Sequence, residues 1–339
     1  MSLLKVTNLE KRFAIRGGIL RGVKAWVQAV NGVSLEVEPG KTLGIVGESG
    51  CGKSTLGRAI LQLEQPTAGD VEFEGQSQIG RSKKELLAFR REAQMVFQDA
   101  YEALNARHTI GRILREPFEI HQLGSDAERD QWVLELLQQV GLPAEAINRY
   151  PHEFSGGQRQ RIGIARAIAL NPKLLVCDEP VSALDVSVQS QIMNLLMQLQ
   201  RQRGLAMLFI AHDLAVVKHL SHEIAVMYLG RIVEIAPTQA LFESPKHPYT
   251  QALLDAIPTV DLDRPKTLKP LEGDVPSPIN LPSGCAFRTR CPYATEACAE
   301  SVPTLELNDL TRVACHRAAE LGLPGLPSQA EQSPPESMG

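Results

Sequence analysis

Nine residues at 47–55, GESGCGKST, carry the clearest chemistry in the sequence. They fit the pattern G-x-x-x-x-G-K-[ST]. Glycines at Gly47, Gly50 and Gly52 let the backbone curl so that its N–H groups converge on phosphate oxygens. Lys53 is placed to reach the outer phosphates, Ser54 to ligate Mg²⁺ and Thr55 to donate to a phosphate. Ser49 and Cys51 fill the loop between the glycines, and Cys51 reads as a small filler rather than a nucleophile. Gly47, Ser49, Gly50, Cys51, Gly52, Lys53, Ser54 and Thr55 therefore form one candidate site for a nucleoside triphosphate.

Such a site needs a carboxylate at the end of an apolar strand, and LLVCDE at 174–179 supplies two. Asp178 is the candidate Mg²⁺ holder, as in P-loop NTPases. Glu179, one residue on, is where a carboxylate can polarise an attacking water. The context required of the elements is met. Thr42–Gly47, Leu174–Asp178 and Met207–Ala211 are apolar nearly throughout, the pattern of strands buried on both faces. Gly52–Leu63, Ala127–Val140, Gln158–Leu170 and Val188–Gln202 have helical spacing. Strands alternating with helices predict a parallel sheet under helical cover. Ala25–Val37 and Asp70–Glu74 alternate polar and apolar residues, as half-exposed strands do.

Composition sets the limits. The 339 residues carry 35 Lys+Arg against 39 Asp+Glu, a net charge of −4. Mild acidity argues against a nucleic-acid-coating protein. The longest apolar run, 205–211, has seven residues, whereas a membrane helix needs about 20. The N-terminus lacks a signal-peptide pattern, so a cytoplasmic location is expected. Proline enrichment over 261–282 predicts a linker, and the polar stretch 321–339 predicts a disordered tail. Trp26 and Trp132 are expected to pack inside.

Cys285, Cys291, Cys298 and Cys315 crowd into 31 residues. Their spacing matches neither zinc fingers nor the common ferredoxins. Disulfides are disfavoured in the cytosol. Inert thiols and a four-thiolate site for zinc or iron–sulfur both remain open, the second being the better reading. His316 reads as a surface histidine.

FSGGQRQR at 154–161 resembles the signature of ATP-binding cassette (ABC) proteins, and further family motifs follow in order. Gln98, after the strand-like 94–97, looks like the Q-loop glutamine. SALD at 182–185 resembles the D-loop, and His212 the switch histidine. Phe13 is placed like the aromatic residue that stacks on adenine. The resemblance covers roughly residues 3–235. It implies a P-loop NTPase ABC cassette: an α/β RecA-like mixed sheet, an antiparallel β subdomain and an inserted helical subdomain at about 99–166. It also implies a head-to-tail pair of cassettes. Each ATP then lies between one Lys53 loop and the other chain's Ser155, Gly156, Gly157 and Gln158, with Asp185 nearby. Glu179, His212 and Gln98 become the catalytic group, and Ser54, Gln98 and Asp178 the Mg²⁺ group.

Longer matches, YPHEF before the signature, DEPVSALDVSV at 178–188, MYLGR at 227–231, KHPYTQAL at 246–253 and GCAFRTRCP at 284–292, resemble dipeptide/oligopeptide importer ATPases of the F type (DppF/OppF-like). Where that family has two prolines, this chain has Ala100 and Ala106. The resemblance implies a cassette at 1–260, an extension at 261–320 holding a 4Fe-4S cluster on its four cysteines, and a tail at 321–339. The implied partners are a related D-type ATPase, two membrane permeases and a periplasmic or extracellular peptide-binding protein, with no nucleic acid. The implied place of work is the cytoplasmic face of the inner membrane. Import of nickel or a glycoside is the alternative within the class; a non-transport ABC ATPase is the alternative outside it. Replacing Cys285 or Cys291 is expected to leave ATP affinity nearly intact.

Overall fold

The computed structural model describes residues 2–17, 22–257, 271 and 273–326. Most of the first half of the expected linker, and the tail from 327, lie outside the described residues.

The chain opens with β1 (Leu4–Gly17), β2 (Gly22–Val37) and β3 (Thr42–Val46), and then α1 (Lys53–Ile60). Next come β4 (Ala68–Phe73), β5 (Gln76–Ser77), α2 (Lys83–Glu92) and β6 (Ala93–Val96). The helical segment contains α3 (Ala100–Ala103), α4 (Ile110–Ile120), α5 (Asp126–Gln139) and α6 (Gly156–Ile168). The chain returns through β7 (Leu174–Asp178), α7 (Val186–Arg203), β8 (Ala206–Ala211) and α8 (Leu214–Lys218). It continues with β9 (Glu223–Tyr228), β10 (Arg231–Pro237), α9 (Thr238–Glu243) and α10 (Pro248–Asp255). The extension adds α11 (Ala297–Glu300), β11 (Glu306–Asn308) and β12 (Thr311–Val313).

Two sheets result among the described residues. One has the order β2-β1-β4-β5 and is antiparallel. The other, β11-β12-β10-β9-β3-β8-β7-β6, is mixed. Its centre, from β9 through β3, β8 and β7 to β6, is parallel. The apolar strands divide their side chains between two cores, as a period of two requires. Leu174, Val176, Leu208 and Ile210 face α1 and the small sheet. Leu175, Cys177, Met207 and Phe209 face α6, α7 and the helical segment. Continuous hydrophobicity in these strands therefore reports burial on both faces.

Helix starts follow local chemistry. Ser82 with Glu85 and Ser125 with Glu128 form reciprocal capping boxes at α2 and α5. Helix α1 ends three residues before the expected Leu63, because Gln62 turns left-handed at φ 53°. The Leu63 N–H then closes back on the Arg58 carbonyl at 2.9 Å, ending the helix.

Two expectations change, at Trp26 and at the start of the tail. Trp26 is 49% exposed, because the β1–β2 hairpin runs out past its own core; Trp132 does pack, 5.0 Å from Phe118 between ring centres. The extension wraps onto the cassette. Strand β12 pairs with β10 in the main sheet, and Phe287 is buried against Tyr228 and Tyr249. Finally, the stretch expected to be disordered from 321 begins with ordered contacts. Leu323 is buried, and the Leu326 N–H donates to the Phe242 carbonyl at 2.8 Å.

Candidate functional site

Strand β3 delivers the glycine loop to the end of the sheet, where α1 starts. Gly52 caps α1 in the left-handed region, φ 106°, and no side chain caps the helix. A β-carbon at Gly52 would lie 1.9 Å from the Ala29 carbonyl oxygen, so only glycine fits. The N-terminal N–H groups of α1 are thus left for a ligand, with the helix dipole behind them. Lys53 is buried, and its Nζ donates to the carbonyls of Gly47 at 2.7 Å and Glu48 at 3.0 Å. Those contacts fold the ammonium over the loop. Burial pushes the Cys51 thiol up, which keeps it protonated and supports its role as filler.

The Ser54 hydroxyl donates to Asp178 Oδ1 at 2.7 Å. Asp178 is fully buried at the end of β7, and its Oδ2 has no hydrogen-bond partner. Burial, the larger effect, raises its pKa against the lowering bond from Ser54. A buried carboxylate oxygen without a partner, beside a hydroxyl, is a hard oxygen donor set that fits Mg²⁺. Glu179 follows at φ 43°, a conformation strained for this residue type. Its Oε2 accepts from Gln98 Nε2 at 3.1 Å and lies 3.8 Å from His212 Nδ1. Three residues from β6, β7 and β8 thereby meet at the sheet's carboxyl edge, where parallel α/β sheets place their ligands. A cleft of about 360 Å³ connects Gln98 and Glu179 to Lys53, Ser54 and Thr55, with Phe13 on its far wall. The Lys11 ammonium sits 4.8 Å above the Phe13 ring. A larger cavity, about 790 Å³, lies between the small sheet, β10 and the extension, away from this chemistry.

Ser155, Gly156, Gly157, Gln158 and Asp185 do not join the cleft. Ser155 caps α6: its Oγ accepts from the Gln158 N–H at 3.3 Å, while Gln158 Oε1 accepts from the Ser155 N–H at 3.0 Å. Asp185 caps α7 without a side-chain bond. A β-carbon at Gly157 would lie 2.4 Å from Val188 Cγ1, so this glycine lets α6 approach α7 closely. Ala100 occupies the first turn of α3, behind the Asp99 cap, where proline is equally well tolerated.

The four extension cysteines line one small cavity together with His247, Tyr293 and His316. The Cys285 N–H donates to the Cys298 carbonyl at 2.8 Å, tying the first and third cysteines of the run together. Burial pushes up the thiols of Cys285 and Cys291, and that of Cys315 to about 11. Among the described residues, no three His, Cys, Asp or Glu side chains converge as they would around a single metal ion. His316 Nε2 lies 3.0 Å from the Ser301 carbonyl oxygen.

Three site neighbours carry no motif signal of their own. Pro278 of the extension lines the cleft. Tyr249 Oη accepts the Glu48 N–H at 2.9 Å. Arg290 forms a double ion pair with Glu48, at 2.7 and 3.0 Å. Tyr249 and Arg290 lie in KHPYTQAL and GCAFRTRCP, so those runs were legible as family marks but not as neighbours of the loop.

Comparison with known proteins shows the family. A family model described as ABC transporter matches residues 30–182, and one described as oligopeptide/dipeptide transporter, C-terminal region, matches 233–298. The di/tripeptide transport ATP-binding protein DppF of Pseudomonas aeruginosa is 50% identical over 94% of this chain and 98% of its own. The oligopeptide transport ATP-binding protein OppF of Escherichia coli is 51% identical over 92% and 95%. This chain belongs to the ABC transporter ATP-binding proteins of the dipeptide/oligopeptide family. Among solved structures, the dimeric ATP-binding cassette MJ0796, in a post-hydrolysis state bound to ADP and Pi, matches with a TM-score of 0.62 and 30% identity. The match covers 69% of this chain and 98% of that one. The ABC cassette fold, with its mixed sheet and helical segment, is therefore secure. Among the described residues, no helix of this ABC ATPase is long and apolar enough to cross a membrane.

Proposed function

We propose that this chain hydrolyses ATP to drive uptake of di- and oligopeptides through partner permeases. It would work as one of two cassettes on the cytoplasmic face of the inner membrane. The observation that carries the catalytic reading is the meeting of Gln98, Glu179 and His212 beside Lys53 and the Ser54–Asp178 pair. The glycine loop and Lys53 bind the β- and γ-phosphates, and Phe13 stacks on the adenine. Glu179 accepts the proton of the water that attacks the γ-phosphorus. His212 holds the γ-phosphate, and Gln98 orients the water and relays contact with the permease. Mg²⁺, when bound through Ser54, Asp178 and Gln98, neutralises charge developing on the phosphates.

The second half of each site comes from a partner cassette, through Ser155, Gly156, Gly157, Gln158 and Asp185. Support comes from their position outside the cleft and from a relative that was solved as a dimer. The pairing cassette is a D-type ATPase, with two permeases and a peptide-binding protein completing the importer. Close likeness to DppF and OppF over nearly the whole chain favours peptides over nickel or glycosides as cargo.

Cys285, Cys291, Cys298 and Cys315 would hold a 4Fe-4S cluster that braces the extension. Four thiols around one cavity support it, and soft thiolates suit iron–sulfur. Anaerobically purified protein should contain iron and labile sulfide; zinc without iron would remove the cluster from this reading.

The test of function uses the complete complex in proteoliposomes. Labelled tripeptide should enter only with ATP, and Glu179→Gln should abolish entry while ATP still binds. Uptake of nickel or a glycoside, with none of peptide, would overturn the cargo; undiminished turnover in Glu179→Gln would overturn the base.

A further inference from the structure

The phosphate loop contains a residue whose charge opposes its purpose. Glu48 puts a carboxylate into a loop built to hold an anion, one residue after Gly47. Arg290 compensates for it from 242 residues away. Its Nη1 donates to Glu48 Oε2 at 2.7 Å and its Nη2 to Oε1 at 3.0 Å, a two-pronged pair. The Arg290 side chain is only 5% exposed, while that of Glu48 is 28% exposed, so the pair is shielded from one side and open to water on the other. The backbone of Glu48 is fixed from two further sides. Its N–H goes to Tyr249 Oη, and its carbonyl accepts from Lys53 Nζ. Lys53 thus shares its anchor with the residue that Arg290 grips.

Arg290 sits between Cys285 and Cys291, in the extension. The same extension reaches the cleft a second time. The Pro278 carbonyl accepts the Gln28 N–H at 3.1 Å, and Pro278 forms part of the cleft wall. The segment after the cassette is therefore built into the nucleotide site at two points.

We propose that Arg290 is a positioning residue for ATP: it neutralises Glu48 and fixes the phosphate loop in its binding shape. This rests on reading 47–55 as the ATP phosphate site. An unpaired Glu48 would repel the triphosphate and free the loop's first turn.

The test measures Mg-ATP affinity of the full-length chain by displacement of trinitrophenyl-ATP, with a thermal melt on each variant. Arg290→Ala should weaken binding roughly tenfold at about 0.05 M salt, and by less at about 0.5 M, where the Glu48 charge is screened. Arg290→Lys, which keeps the charge but not the two-pronged geometry, should recover part of the loss. The double variant Glu48→Gln/Arg290→Ala should recover most of it, which a purely structural role for Arg290 does not predict. Unchanged affinity in Arg290→Ala, or a double variant no better than the single one, overturns the proposal. If Arg290→Ala melts below the assay temperature, the Lys and double variants decide by the same criteria. A wild-type chain that does not bind Mg-ATP would instead overturn the reading of the phosphate site itself.

Discussion

The starts of α1 and α6 both offer backbone N–H groups to an anion, yet they are finished differently. At α1 the cap is Gly52, with no side-chain bond, and buried Lys53 is already folded over the loop. At α6 the cap is Ser155, exposed and locked with Gln158 in a capping box. The box consumes the Gln158 N–H and leaves the N–H groups of Gly156 and Gly157, in the first turn, without an intrahelical partner. The first end already has its lysine folded over the loop within its own chain; the second is a capped terminus that lies outside the cleft. A helix terminus that must wait for its ligand needs its own cap, and one enclosed by its loop does not.

The contrast breaks most sharply at Lys53. Lys53→Ala removes the charged donor proposed to hold phosphate, and ATP hydrolysis should fall by at least about a hundredfold. Nucleotide-driven pairing should fall with it, because the partner's α6 would meet no bound phosphate. Phosphate release and ATP-dependent size-exclusion shifts measure the two effects. Full pairing without ATP binding would mean that the two ends are not linked through the nucleotide.

Gly157→Val tests the opposite end. Its side chain would collide with Val188 on α7, which should cost about 1–3 kcal/mol of stability. Chemical denaturation of the full chain reads this directly, and an unchanged midpoint would show that α6 and α7 can part freely. Ser155→Ala is milder. Loss of the cap should cost about 1 kcal/mol and weaken ATP-driven pairing, while ATP affinity of the single chain stays within about twofold of wild type. A large loss of affinity in the isolated chain would put Ser155 inside its own cleft, against the geometry.

Legibility in the sequence follows the same division. The GKST loop, the DE pair and the strands before them are contiguous runs, and their chemistry is local; each lies where its pattern implied. Gln98, Glu179 and His212 lie far apart in the sequence and are grouped there only by the family resemblance; the parallel order of β6, β7 and β8 brings them together. The long β1–β2 hairpin was only half visible, because its outer residues pack on nothing and Trp26 breaks the rule that large apolar groups go inside. Strands β11 and β12 have three residues each, too few for a period to register. The Glu48–Arg290 pair spans 242 residues. No local pattern announces it, since a salt bridge between distant loops depends on how β12 and Phe287 dock the extension.

The smallest expected effect concerns the strand that carries the phosphate loop. His222 Nδ1 accepts the Thr42 N–H at 3.0 Å, at the start of β3. An accepting ring nitrogen must be unprotonated. Burial first, and the Lys41 ammonium second, lower the His222 pKa from its ordinary value of 6.5. A folded state that resists a proton which the unfolded chain takes up near 6.5 loses stability as pH falls below that value. The loss continues until the lowered native pKa is passed. Its contribution is whole above pH 6.5, so His222→Asn should differ most from wild type at pH 7.5, and the difference should shrink at pH 5.5. Amide exchange should show the loosening first at Thr42–Val46, beneath α1, while the amides of α6 keep their protection. Equal loosening at both ends would mean that β3 does not support the phosphate loop separately from the rest of the sheet. A stability difference unaffected by pH would mean that the His222 ring keeps its ordinary titration in the fold.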